Sequence, residues 1–161
     1  MNTKEIKISY EEYLSLDQLS EEDKTLLAKA TETTKKAYAP YSGFCVGAAI
    51  LLDNGEIICG SNQENAAYPS GLCAERVAMF AAASQYPDVA MKTIAITAHT
   101  DKFEIDIPVS PCGSCRQVMA EYEHKQQKHI KIILKGASGK ILIINGIENL
   151  LPFVFNADNL K

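Results

Sequence analysis

KTIAITAHTDKFEIDIPVSPCGSCRQVMAEYEHKQQKHIKIIL, residues 92–134, reads as strand, loop, helix and strand in succession. KTIAIT, 92–97, and HIKIIL, 129–134, are the strands, and PCGSC opens the helix between them. Two strands joined through a helix call for a right-handed parallel crossover. Upstream, FCVGAAILL, 44–52, is a near-continuous apolar run that fits a strand covered on both faces. DNGE, 53–56, centred on Asn54-Gly55, is a strong hairpin turn signal, and EIICG completes an antiparallel partner strand. KILIING, 140–146, adds a fifth strand after the GASG turn at 136–139. The expected fold class is therefore α/β: a mixed five-stranded sheet with helices on both faces.

The helices follow from their ends. Ser20 with Glu21, Glu22 and Asp23 behind it is a capped, acid-rich helix start, and Leu26, Leu27, Ala30 and Ala37 keep helical spacing until Pro40. SNQENAAYPSG, 61–71, has loop composition, and a helix should run from about Cys73 to Gln85. Val77 to Ala83 are apolar throughout, so this helix has no polar face and is expected in a core. A short helix or turn around Ile147–Leu151 ends at Pro152. Neither repeats nor a linker divide the chain, so residues 1–161 form a single expected domain, with 1–19 a surface-draped lead segment.

The 161 residues suffice for a substantial core. Sixteen basic against twenty acidic side chains leave a net charge of -4, which argues against a general grip on nucleic-acid phosphates. The acidic, polar N-terminus has no secretory signal, and no stretch approaches the roughly 20 apolar residues of a membrane span. The expectation is a cytoplasmic protein with neither nucleic-acid nor membrane partners. Five cysteines, an odd number in a reducing compartment, point to metal or catalysis rather than a disulfide framework.

Cys112 and Cys115 stand three apart where a helix begins, and helix N-termini favour the thiolate that binds metal. On its own the pair is equally compatible with packing. Cys45 and Cys59 lie in strands, where a small buried hydrophobe is the default. His99, His124 and His129 have no partner at ligand spacing and read as solvated. Cys73 differs, because it too starts a helix, with Glu75 and Arg76 in the first turn. Two helix N-termini meeting at one zinc would give three thiolates and an open fourth position, the pattern of a catalytic site. Zinc with three thiolates is formally negative. Arg76 and the helix dipoles offset that charge, and Glu75 can serve as general acid and base to the bound water.

GLCAERVAMF and PCGSCRQVMAE resemble the zinc-dependent cytidine deaminases, whose wider signature is well described. AYAPYSGFCVGAAIL, 37–51, NQENAAYP, 62–69, and LLPFVF, 150–155, extend the resemblance in the family's order over most of the chain. It implies the deaminase α-β-α sandwich with Cys73, Cys112 and Cys115 as ligands of one Zn2+ per subunit. Glu75 would be the catalytic proton shuttle, and Arg76 would hydrogen-bond the cysteine sulfurs. Substrate contacts would come from Phe44, Asn62, Glu64, Ala66, Tyr68, Ala74 and Phe155. Asn62 and Glu64 would hold the ribose hydroxyls, Phe44 would meet the pyrimidine, and Phe155, with Tyr68 and Ala66, would reach across a subunit interface.

The implied reaction is hydrolytic deamination of cytidine and 2′-deoxycytidine to uridine and 2′-deoxyuridine in pyrimidine salvage. Glu75 moves a proton from zinc-activated water to ring N3, the oxygen adds at C4, and ammonia leaves. The acidic Glu64 near the sugar favours a free nucleoside over a nucleotide. Short three-cysteine chains of this kind imply a homotetramer with shared active sites. This sequence departs from the family at 1–19, at Cys45 and Cys59, and in HTDKFEIDIPVS, 99–110, a long loop that could alter access to the zinc. Three alternatives compete with this reading. A deaminase of another aminopyrimidine, such as a nucleoside antibiotic, would usually differ at NQEN and Arg76. A nucleic-acid deaminase more often has histidine as first ligand and a basic surface. A structural zinc protein would need a fourth protein ligand.

Overall fold

The computed structural model describes residues 1–160; Lys161, the last residue of the expected domain, lies outside the described residues. Strands are β1 (Glu11–Tyr13), β2 (Cys45–Leu52), β3 (Ile57–Ser61), β4 (Met91–His99), β5 (Lys131–Lys135) and β6 (Ile141–Asn145), and the long helices are α1 (Glu21–Thr34), α2 (Ala74–Gln85) and α3 (Gly113–Gln126). They build one sheet of order β1-β6-β5-β4-β2-β3. Only β4–β5 is parallel, joined through α3, and the other pairs are antiparallel.

Alternation along the strands sorts the core into two layers. Ala48, Ile50, Leu52, Ile94, Ile96, Ile132 and Leu134 face α2 and α3, where they meet Ala78, Met79 and Met119. Ala49, Leu51, Ala95, Ile133, Ile141 and Ile143 face α1 and its Leu26, Leu27 and Ala30. The sheet is thus covered on both sides. The Ser20 side chain accepts from Asp23 N–H, as its cap position requires.

The sheet has six strands rather than the expected five. The added strand, Glu11–Tyr13, lies in the lead segment and pairs antiparallel with β6. Its residues EEY carry no apolar alternation, so nothing local marks them as a strand; the unpaired edge of β6 recruits them. Cys59 is also corrected, since it is exposed on β3 and packs in no core. α2 is buried on one side only. Ala74, Glu75, Ala78, Met79 and Ala82 are covered, whereas Val77 and Ala81 are half-buried and Phe80 is exposed.

The placement of α2 rests on a close approach. A Cβ on Gly60 would lie 2.4 Å from Ala78 N and 2.6 Å from Ala74 O, so the first turns of α2 press directly on the β3 backbone. α3 is held at its far end by Glu123, whose buried carboxylate accepts from Ile130 N–H at 2.8 Å and Ile147 N–H at 3.1 Å. His129, expected to be solvated, is exposed but pairs with Glu123 and Glu148.

Candidate metal centre and binding cavity

Cys73 and Cys112 are the N-caps of α2 and α3, and neither side chain is used to cap its own helix. Their sulfurs therefore stay available. Pro111 precedes the cap instead of opening the helix, and Cys115 follows in the first turn, fully buried. The Sγ atoms of Cys73 and Cys112 are 3.8 Å apart, and those of Cys112 and Cys115 are 3.5 Å apart. A tetrahedral zinc with bonds near 2.3 Å spaces its sulfurs about 3.8 Å apart, so the residues present fit the ion. Among the described residues, no fourth thiol, imidazole or carboxylate joins this group within 4.8 Å of all three.

The electrostatics agree with the donor geometry. Cys73 is held down to about 5, first by a hydrogen bond from the Cys115 thiol, against burial, and further by Arg76. That same bond, together with burial, pushes the Cys115 thiol far up. A metal ion bound by these sulfurs would displace the Cys115 proton. Arg76 Nη2 lies 3.8 Å from the Cys73 sulfur, and its guanidinium is raised chiefly by that contact. Its Nε is buried without an acceptor.

Glu75, 4 % exposed, stands in the first turn of α2 beside these sulfurs. Burial pushes its carboxyl up, partly offset by its own backbone N–H, and the Cys73 charge adds to the rise. A carboxyl raised by desolvation is suited to taking and giving a proton near neutral pH.

Cys73, Glu75, Arg76 and Cys112 lie on the wall of a cavity of about 690 Å³, a size suited to a small ligand. Phe44, Asn62, Glu64 and Tyr68 line it too. The Asn62 amide is fixed by backbone: Oδ1 accepts from Val46 N–H at 2.7 Å and Nδ2 donates to Phe44 O at 2.9 Å. One N–H and one lone pair remain for a ligand. Glu64 receives the Ser42 hydroxyl on Oε1 and the backbone N–H groups of Tyr41 and Ser42 on Oε2. The Ser42 bond is the main reason its carboxyl stays below the usual range.

Four of the expected residues lie off the cavity wall. Ala74 is fully buried against the sheet, and Cys115 sits beneath the other sulfurs. Ala66 is exposed, and Phe155 is 58 % exposed with its carbonyl accepting from Gln117 Nε2 at 2.7 Å. Sequence reading gave no role to Tyr41, Ser42, Val109 or Ser110, all on the wall. The last two end the long 99–110 loop, whose length was the available signal. Tyr41 stacks edge-on with Tyr68, ring centroids 6.2 Å apart.

Residues 20–130 match the family described as "cytidine and deoxycytidylate deaminase zinc-binding region". The chain is 42% identical over 137 residues to the cytidine deaminase of Halalkalibacterium halodurans, covering 84% of this chain and 96% of that protein. It is 39% identical over 136 residues to the cytidine deaminase of Sporosarcina psychrophila, with coverages of 84% and 93%. The fold is similar to the crystal structure of cytidine deaminase from Burkholderia pseudomallei, with TM-score 0.71 and 34% identity over 85% of this chain and all of that one.

Proposed function

The chain belongs to the cytidine and deoxycytidylate deaminase family, and on that premise we propose that it hydrolyses cytidine and 2′-deoxycytidine to uridine and 2′-deoxyuridine with release of ammonia. The observation that carries this reading is the cluster of three cysteine sulfurs, two of them on the cavity wall with the buried Glu75. Zinc bound by Cys73, Cys112 and Cys115 would act as a Lewis acid that makes a water molecule nucleophilic near neutral pH.

The chain's own residues do the rest. Glu75 takes the proton of the attacking water and delivers it to ring N3, which makes C4 more electrophilic. Once the water oxygen has added at C4, Glu75 takes the remaining proton of that hydroxyl and hands it to the amino group; C4=O forms as the C4–N bond breaks and ammonia leaves. Arg76 stabilises the thiolate charge at Cys73. Phe44 contacts the base, Glu64 accepts from the sugar hydroxyls, and Asn62 both donates to and accepts from them. A carboxylate at the sugar end repels a 5′-phosphate, which supports a free nucleoside as substrate.

An assembly of four copies is supported by apolar surface that one chain leaves uncovered: Phe80 on α2, and Phe153 and Phe155 beyond the sheet, are all exposed. Ala66, Tyr68 and Phe155 would then complete a neighbour's cavity. Five free cysteines support a reducing, cytoplasmic setting, and salvage of pyrimidine nucleosides is the role that fits the reaction.

The test is ammonia release from cytidine by wild type and Glu75→Gln, with zinc quantified in both. An active wild type beside a zinc-loaded variant slower by about 10²–10⁴-fold supports the reading. A zinc-loaded wild type inert to cytidine and deoxycytidine would refute the substrate assignment.

A further inference from the structure

The loop between β4 and α3 is fastened at its middle, reaches the cavity with its downstream end and touches the segment 41–44 with its upstream end. Ile105 is buried, and its carbonyl accepts from Ala137 N–H at 2.7 Å and Ser138 N–H at 3.2 Å. The Glu104 carboxylate takes the Ser138 hydroxyl at 2.6 Å. Downstream, Val109 and Ser110 form part of the cavity wall. Upstream, the Thr100 hydroxyl accepts from Lys102 N–H at 3.4 Å, and Thr100 is itself buried. This turn aims Lys102 away from its own loop, toward the segment 41–44.

There the Lys102 ammonium donates to the Ser42 carbonyl at 2.5 Å. Gly43 makes room for it. The glycine has φ +67, and a Cβ there would lie 3.1 Å from Lys102 Cε. Ser42 is the node of the whole arrangement. Its hydroxyl donates to Glu64 and accepts from Phe44 N–H, its own N–H donates to Glu64, and its carbonyl is held by Lys102.

We infer that Lys102 is a positioning residue for sugar recognition, fixing the Tyr41–Phe44 segment that orients the Glu64 carboxylate in the cavity. Lys102 itself is not on the cavity wall, so it acts through Ser42. A carboxylate offers roughly four acceptor positions, and three on Glu64 are taken by Ser42 and Tyr41. The remaining one is the place for a sugar hydroxyl, and its direction depends on how rigidly the segment is held. The Lys102 charge also helps keep Glu64 ionised, after the Ser42 hydroxyl and the backbone N–H groups. The inference rests on the reading of Glu64 as a sugar acceptor given above.

The experiment compares wild type, Lys102→Met and Lys102→Arg as zinc-loaded full-length protein. It measures kcat and KM for cytidine, and the inhibition constant of 2′,3′-dideoxycytidine as a competing ligand without sugar-ring hydroxyls. The expected result for Lys102→Met is a rise of about fivefold in the cytidine KM, the scale of one hydrogen bond, with kcat within about twofold. The dideoxycytidine constant should not move, and Lys102→Arg should restore the cytidine KM. An active wild type whose cytidine KM is untouched by Lys102→Met overturns the inference. So does an equal rise for both ligands, or a loss of zinc, because Lys102 would then merely support the fold. A wild type inert toward cytidine overturns the functional reading itself, and with it the sugar role of Lys102.

Discussion

Cys73 and Cys112 cap two different helices, and their sulfurs lie 3.8 Å apart although 39 residues separate them. Each sulfur sits at a helix start, beside the unpaired N–H groups of the first turn. The neighbouring Cys115 completes the set from the first turn of α3. Loss of any one of the three should remove the metal.

Accordingly Cys73→Ser, Cys112→Ser and Cys115→Ser should each purify with far less zinc than wild type. Cys45→Ser and Cys59→Ser should hold the same zinc as wild type, since neither sulfur belongs to the cluster. Elemental analysis of the dialysed proteins decides the matter. Zinc loss in Cys45→Ser or Cys59→Ser would mean that the ligand set is wrong.

Zinc uptake should release protons. At pH 7 the metal-free protein carries Cys73 as thiolate, because its value is near 5, while Cys115 lies far above the ordinary thiol range and stays protonated. The ion must therefore expel at least the Cys115 proton, and protons compete with it, so affinity should weaken as pH falls. Calorimetric titration of chelator-stripped protein in buffers of different ionisation enthalpy reads this directly. A heat independent of the buffer would contradict a protonated Cys115 in the metal-free protein.

Glu123 should matter for stability. Its buried carboxylate accepts from two backbone N–H groups, Ile130 at the approach to β5 and Ile147 after β6. Glu123→Ala leaves both donors without that partner and should cost about 2–4 kcal/mol in urea unfolding. Glu123→Gln keeps an acceptor oxygen and should lose less. Equal stability of Glu123→Ala and wild type would show that solvent replaces the carboxylate.

Gly60 fixes the seat of α2 and so of Glu75. A methyl group at this position meets the helix backbone at Ala78 N and Ala74 O. Gly60→Ala should lower stability by about 1–3 kcal/mol through overpacking. Because the displaced turn carries Glu75, kcat should fall more than KM rises. Unchanged kcat in the Gly60→Ala enzyme would mean that α2 shifts as a unit without consequence at the site.

Elements whose signals lie within a few residues are legible in the sequence itself. Ser20 caps the helix that it announces, Asn54-Gly55 turns the β2–β3 hairpin, and the short apolar segments KTIAIT and HIKIIL mark the two strands of the crossover. The cysteine spacing and the Glu75–Arg76 pair are legible for the same reason, because helix starts and ligand spacing are local properties.

Contacts between distant segments are not. Glu11–Tyr13 becomes a strand only because β6 offers an open edge, and Cys59 proves exposed on β3, the strand at the opposite edge of the sheet. The role of Lys102 depends on a loop anchored by the 136–139 turn and on a glycine that leaves space for it. Periodicity and capping are written in neighbouring residues, whereas an edge, a gap or a carbonyl awaiting a donor exists only after the layers have packed. The chain's composition and spacing thus announce the α/β framework and the cysteine pair, and packing alone brings Ser42, Glu64 and Lys102 together.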